Sequence, residues 1–225
     1  MKQHFNLKLL FTIGMAGMLV ACQNSQTITE ENIAMPEIEP TLDESTAVPE
    51  IEPSLDESMP IPESGFAPLP QRTGPRTQTS GTVPHVQIGV DFVPAVNDEL
   101  YRLAFALPDV ENRPTIVSLP GARGMWLRDE LTLIHPEVIV SGREFAHIHP
   151  DGSLHVPLPY ERALEAVEKG WAERHPWADE RDGWEGFVML FTPQTMAELD
   201  VIFQLILDSY NFVAGRSITI ADLEI

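Results

Sequence analysis

Four of the seven histidines lie close together in the sequence, and their spacing predicts a functional site. His147 and His149 are separated by one residue, and His155 and His175 follow them. Residues i and i+2 of a β-strand point to the same face of a sheet, so we expect His147 and His149 to project together. The sequence Pro-Asp-Gly at residues 150–152 predicts a tight hairpin turn, which brings His155 alongside the first two histidines.

Such a cluster is compatible with three kinds of role. Two histidines on one strand and a third on its neighbour form a common metal site with three nitrogen ligands and open positions. Without a metal, the same imidazoles act as general bases near neutral pH. They are also found as hydrogen-bonded polar residues in or beside a core. The residues alone leave these roles open, including whether His147, His149 and His155 bind a metal.

The residues just before the cluster predict its charged neighbour. Strict alternation along the strand places Arg143 and Phe145 on the face of His147 and His149, and Glu144 on the opposite face. An arginine beside histidines favours an anionic ligand. The alternative is an arginine paired with a surface carboxylate, and the spacing does not decide between them.

The elements that position these residues follow from hydrophobic periodicity and turn residues. Strands are predicted at residues 143–149, 153–158 and 186–192, with shorter candidates at 115–119, 124–127 and 137–140. Helices are predicted at residues 97–107 and 160–169, and a long amphipathic helix begins at Pro193. Short strands in hairpins flanked by helices predict an α+β fold, a single small domain in which an antiparallel sheet packs against helices as a two-layer sandwich.

The N-terminus has the layout of a secretory signal peptide over residues 1–21. Two lysines precede an apolar run at residues 9–20, and the run ends in Leu-Val-Ala-Cys. This tetrapeptide resembles the lipobox, at which bacteria attach lipid to the cysteine sulfur, so Cys22 is the predicted lipidation site. Cys22 is the only cysteine, and the domain therefore has no disulfide.

Residues 22–82 are predicted to be a disordered linker, because they are acidic, rich in proline and poor in aromatic residues. Residues 36–45 recur with small changes at residues 49–58. Two copies of an acidic, proline-rich unit serve either as an extended spacer or as a docking motif for a protein partner. The folded domain is predicted at residues 83–225.

The net charge of −20 makes some partners unfavourable. Nucleic acids and anionic lipid headgroups bind through basic side chains, and we expect neither as a ligand. The expected partners are a membrane, through lipid on Cys22, and a small-molecule ligand or substrate. The predicted location is the cell envelope, and Gln23 after the cysteine favours the outer membrane if the source is Gram-negative.

Several ordered blocks resemble the luciferase domain family, whose best-known members are luciferases of luminous fungi. The blocks are Arg143-Glu-Phe-Ala-His-Ile-His149, Gly152-Ser-Leu-His-Val156, Lys169-Gly-Trp-Ala-Glu-Arg-His-Pro176 and Leu190-Phe-Thr-Pro193. The fungal enzyme adds molecular oxygen to a hydroxylated pyrone without a known metal or organic cofactor. The resemblance implies catalytic roles for His147, His149, His155 and His175, ligand binding by Arg143, Trp171 and Arg174, and no cofactor.

Three hypotheses follow for the function. The first is a cofactor-independent, oxygenase-like or related enzyme that acts on a small aromatic or anionic molecule. The second is a non-enzymatic envelope module that binds a small ligand in the same pocket. The third is a structural envelope protein whose acidic repeats bind a partner.

Overall fold

The computed structural model describes residues 65–225. The predicted signal peptide, the predicted lipidation site Cys22 and the tandem repeats lie outside the described residues. Within residues 65–225, no helix combines the length and the apolar character that crossing a bilayer requires.

Eight strands are described, and six of them form one antiparallel sheet with the spatial order β3-β4-β5-β6-β8-β7. The other two pair with each other as a short N-terminal hairpin. The strands are β1 (Gln78–Thr79), β2 (Gln87–Ile88), β3 (Val110–Pro114), β4 (Arg123–Leu127), β5 (Glu144–Ile148), β6 (Leu154–Pro157), β7 (Ala172–Arg174) and β8 (Phe187–Leu190).

Three helices cover one face of this sheet: α1 (Pro94–Ala104), α2 (Tyr160–Glu168) and α3 (Met196–Ala214). The longest, α3, begins at Thr195, whose hydroxyl accepts a hydrogen bond from the Glu198 amide at 3.1 Å. It ends at Gly215, which adopts a left-handed conformation with φ of 63°. Its apolar residues form one core with side chains of the central strands and α1. The α+β fold with an antiparallel sheet and packed helices is therefore confirmed.

The central strands β5, β6 and β8 are buried along their whole length. One set of alternating side chains, including Ile148, Leu154 and Val188, belongs to the helix-side core. The other set faces away from the helices, where loops rather than helices cover the sheet. Polar side chains that are buried on this second face need partners there, since unpaired burial is costly.

Two strand predictions do not match the structure. Residues 137–140 are not a strand, because Pro136–Val138 forms a 3₁₀ turn whose proline has a fixed φ and no amide donor. The strand expected at residues 115–119 is instead Val110–Pro114, which pairs with β4. The segment after it hydrogen-bonds a glutamate side chain of β5 rather than another strand.

Residues 65–82, which the sequence assigns to the linker, pack against the domain. Arg162 of α2 donates a hydrogen bond to the Ala67 carbonyl at 2.9 Å, and the Trp171 indole donates to the Pro70 carbonyl at 2.7 Å. Leu69 is buried with 6% of its surface exposed. The composition of this segment does not show these contacts, because the partners lie about a hundred residues further along the chain.

Candidate functional site

Histidines of neighbouring strands meet on the sheet face opposite the helices. His147 of β5 and His155 of β6 are directly opposed in the strand pairing, and Nε2 of His147 lies 3.0 Å from Nδ1 of His155. On the other side of β6, His155 is opposed by Met189 of β8. The register that the hairpin adopts therefore places both histidines on one face, and both are buried.

His149 joins them from the end of the same hairpin. Its backbone closes the turn through a hydrogen bond to the Ser153 carbonyl at 2.7 Å, and Gly152 takes a positive φ of 84°. Its side chain Nδ1 lies 2.9 Å from the Ser153 hydroxyl, which donates to Asp151 at 2.7 Å. The turn that sets the strand register thus also orients the His149 ring.

A β-bulge brings Glu144 to the histidine face, contrary to the prediction from strand parity. Met125 of β4 opposes Ala146, but its neighbour Trp126 opposes Glu144, so β5 has one extra residue between these pairs. The extra residue reverses the alternation, and Oε1 of Glu144 lies 3.3 Å from Nδ1 of His147. The parity argument was wrong here because it assumed an uninterrupted strand.

Glu144 is almost fully buried and rigidly held. Its carboxylate accepts hydrogen bonds from the Thr115 hydroxyl at 2.5 Å and from the Ile116 amide at 2.9 Å. Gly124, which opposes His147 in the sheet, leaves room for it, since a Cβ at this position would lie 2.9 Å from the Glu144 carboxyl carbon. The carboxylate is therefore held in place beside Nδ1 of His147.

A fifth histidine completes the cluster, and the sequence reasoning missed it. Nδ1 of His85 lies 3.1 Å from Nε2 of His155, and Nε2 of His85 lies 3.5 Å from Glu173 of β7. His85 lies just before β2, at the edge of the predicted linker and far from the other histidines in sequence. Its only sequence signal was that it is a histidine in an otherwise apolar stretch.

His175 follows β7 and lies beside this group. Its ring centroid is 4.9 Å from that of His155 and 5.4 Å from that of His85. Its Nδ1 accepts a hydrogen bond from the Trp177 amide at 3.1 Å. The neutral ring therefore carries its proton on Nε2.

The five histidines line one cavity of about 200 Å³. Aromatic side chains form one wall of it, and apolar residues of the loops before β2 and after β3 form others. Cavities of about 150 Å³ hold benzene, so this volume accommodates a ligand of roughly one substituted ring. The wall residues that sequence reasoning did not assign to the site are Val83, Pro84, Val117, Ser118, Leu119, Val140, Trp177, Trp184 and Phe187.

Burial keeps several of these imidazoles uncharged. Burial, together with the neighbouring histidines, lowers the pKa of His149 to about 3 and that of His175 to about 4. Burial also holds the pKa of His155 well below its usual range. For His85 burial lowers the pKa, although Glu173 opposes the shift. At neutral pH His149, His155 and His175 therefore present nitrogen lone pairs rather than cations.

Three residues with predicted ligand-binding roles lie outside the cavity lining. Arg143 donates to the backbone carbonyls of Leu127 and Leu131. Trp171 belongs to the helix-side core. Arg174 forms a two-pronged ion pair with Asp179 at 2.9 and 2.6 Å. Each has a structural partner of its own, and none of the three lines the cavity.

Two groups of histidines in the described part of the chain are close enough to hold a metal ion. One consists of His147, His149 and His155, and the other of His85, His155 and His175. In each group one ligand atom per residue lies within 4.8 Å of the others. His155 belongs to both groups, because its two ring nitrogens face opposite sides.

Comparison with known proteins agrees with the resemblance seen in the sequence. Residues 142–208 match the family model of the Luciferase domain. This stretch runs from just before β5 into α3 and contains His147, His149, His155 and His175, but not His85. The match to the luciferase domain family is thereby confirmed for this part of the chain.

Among curated proteins, the luciferase of Armillaria mellea is 27% identical over 175 residues, covering 67% of this chain and 64% of that protein. The luciferase of Armillaria gallica is 27% identical over 168 residues, covering 65% of this chain and 62% of that protein. The chain thus spans somewhat less than two thirds of the length of these relatives. No solved structure is significantly similar to it.

Proposed function

We propose that this protein is an enzyme of the luciferase-domain type that activates a small hydroxylated aromatic or anionic molecule, in an oxygenase-like or related reaction. The observation that carries the proposal is the convergence of five buried histidines on one cavity with an aromatic wall. A polar cluster of this size is costly to bury and gives the core no apolar contacts. Its retention is explained by chemistry in the cavity.

His147 is the best-placed general base. The Glu144 carboxylate lies against its Nδ1, where it fixes the tautomer and stabilises the imidazolium that forms when Nε2 accepts a proton. His149, His155 and His175 are neutral donors or acceptors that position the substrate oxygens. Removing a hydroxyl proton from such a substrate leaves an electron-rich oxyanion, which is the form that reacts with molecular oxygen.

The test is oxygen uptake and substrate loss with single-ring hydroxypyrones and hydroxylated aromatic compounds. His147→Gln should lower turnover by about 100-fold or more, which is the usual contribution of a general base. His135→Gln is the matched control, since His135 is a surface histidine paired with Glu137. Ligand binding without turnover by the wild type would instead identify a non-enzymatic binding module. Equal turnover by His147→Gln would refute the assignment of the base.

We also propose that lipid on Cys22 tethers the protein to a membrane of the cell envelope. The support is the signal-peptide layout and the lipobox-like sequence before the cysteine. Cys22→Ser should release the protein into the soluble fraction or leave the unprocessed precursor. Fractionation, together with labelling by a radioactive fatty acid, measures both results. Normal processing and membrane retention of the variant would contradict the lipid anchor.

A further inference from the structure

We propose that His147, His149 and His155 form the site of one divalent transition-metal ion, held by Nε2 of His147, Nε2 of His149 and Nδ1 of His155. One ligand atom from each side chain lies within 4.8 Å of the others. Ligands of a tetrahedral ion are about 3.4 Å apart, so closing the site requires only small movements. The proposal rests on the grouping of the histidines. It replaces the general-base role of His147 in the proposed function, because a metal-bound Nε2 cannot accept a proton.

In His147 and His149, Nδ1 contacts a neighbouring side chain, which leaves Nε2 free to bind the metal. Nδ1 of His147 lies against the Glu144 carboxylate at 3.3 Å. Nδ1 of His149 lies 2.9 Å from the Ser153 hydroxyl, whose own proton goes to Asp151. A metal-bound histidine characteristically donates its other N–H to a carboxylate or another oxygen acceptor. Both rings therefore have an oxygen atom beside Nδ1, as metal-bound histidines usually do.

The chain formed by three of the histidines has one more contact than it has ring protons. His147, His155 and His85 form a chain between two carboxylates, with four contacts of 3.3, 3.0, 3.1 and 3.5 Å. Three neutral rings supply three protons for these four contacts. When the N–H groups of His147 and His85 face Glu144 and Glu173, His155 donates its one proton either to His147 or to His85. Donation to His85 leaves the contact between His147 and His155 without a proton.

With the protons placed in this way, Nε2 of His147 and Nδ1 of His155 face each other at 3.0 Å as two acceptors. Two acceptors at such a distance repel each other, and the apolar surroundings strengthen the repulsion. A metal ion bound by both nitrogens converts the repulsion into coordination. It also leaves the contact between His155 and His85 in place.

The second group, His85, His155 and His175, fits a metal less well. Nδ1 of His175 accepts a hydrogen bond from the Trp177 amide, so the neutral ring has its proton on Nε2. Neither nitrogen of His175 is then free to bind a metal. His85 serves instead as the acceptor for the outer N–H of His155 at 3.1 Å.

The donor set indicates the class of metal. Three neutral imidazoles suit Zn²⁺, Co²⁺, Cu²⁺ or Fe²⁺ and do not suit Mg²⁺ or Ca²⁺, which prefer oxygen ligands. Three protein ligands leave further coordination positions unfilled, as in catalytic zinc sites. All three histidines line the cavity, so these positions are accessible to water or to a small ligand there.

The experiment is a titration of the full chain with Co²⁺ after treatment with a chelator. We expect one equivalent to bind and to give a visible ligand-field spectrum of tetrahedral or five-coordinate Co²⁺, which one equivalent of Zn²⁺ abolishes. His149→Gln should weaken binding by at least about 100-fold, and Glu144→Gln by about 10- to 100-fold. The surface variant His135→Gln should bind like the wild type.

Further variants distinguish metal binding at this site from binding at the second group. They also distinguish loss of binding from loss of folding. His175→Gln should keep full Co²⁺ stoichiometry, whereas the second group requires that it lose the metal. A thermal midpoint measured without metal shows whether each variant folds. If His149→Gln does not fold, stabilisation of the metal-free wild type by Zn²⁺, and weaker stabilisation of Glu144→Gln at the same Zn²⁺ concentration, tests the same site. No Co²⁺ binding by the wild type at micromolar concentrations would overturn the proposal.

Discussion

At the level of single residues, the uncharged state of the histidines gives the stability of the protein a definite pH dependence. The pKa is about 3 for His149 and about 4 for His175 in the folded chain, and it is 6.5 for an ordinary histidine. Because the unfolded chain binds these protons first, stability is present above pH 6.5 and decreases as the pH falls. Among the charged groups near the rings, Glu173 opposes the lowering of the His85 pKa, and Arg181 adds to the lowering of the His175 pKa.

We therefore expect the metal-free protein to lose stability steadily between about pH 7.5 and pH 5, a window in which most carboxylates do not titrate. Urea unfolding at several pH values measures this dependence. His175→Gln should reduce the slope of stability against pH, whereas the surface variant His135→Gln should not. Stability that is independent of pH over this window would mean that the histidines are not buried as neutral groups.

At the level of secondary-structure elements, a buried ion pair joins α2 to α3. Arg162, with 1% of its side chain exposed, lies 2.8 Å from Asp208, with 5% exposed. Arg162 also contacts Glu165 at 2.6 Å and the Ala67 carbonyl at 2.9 Å. Burial raises the pKa of Asp208, and Arg162 opposes this shift.

Arg162→Ala should cost about 3–5 kcal/mol, because it leaves the Asp208 carboxylate buried without its partner. Replacing both residues, as in Arg162→Met with Asp208→Leu, should recover most of the loss. Arg174→Ala breaks the more exposed pair with Asp179 and should cost about 1 kcal/mol or less. Denaturant unfolding of these variants tests the comparison, and similar losses for both single variants would contradict it.

The segment at residues 65–72 gives a second prediction at this level. A chain that begins at residue 73 loses the burial of Leu69 and the carbonyl acceptors of Arg162 and Trp171. We expect it to be about 3–5 kcal/mol less stable than a chain that begins at residue 65. Urea unfolding of the two truncations measures the difference. Equal stabilities would show that these contacts do not contribute.

For the molecule as a whole, the sequence predicted those features that depend on local patterns. The turn at residues 150–152 and the spacing of His147 and His149 were enough to predict the hairpin and the shared face. The apolar period of α3 predicted the longest helix of the helical layer. In each case the signal lies within a few residues, where periodicity and turn chemistry act directly.

The missed features depend on contacts that are distant in sequence or on broken alternation. His85 reaches His155 from 70 residues away, and no local pattern links the two. Glu144 reaches the site through a bulge that is visible only in the pairing of β4 with β5. Arg143 was placed on the wrong face for the same reason. A glycine at position 124 was the one sequence hint of a close approach in this region.

The cavity is built from two kinds of structure. Three of its five histidines come from β5, the following turn and β6, and the other two come from segments beside β2 and β7. Much of its shape comes from loop residues such as Val83, Val117 and Trp177. Loops accept insertions and substitutions more readily than strands. Proteins that share this hairpin are therefore expected to keep one reactive centre while diverging in the molecules they admit, so that the histidines alone do not identify the substrate.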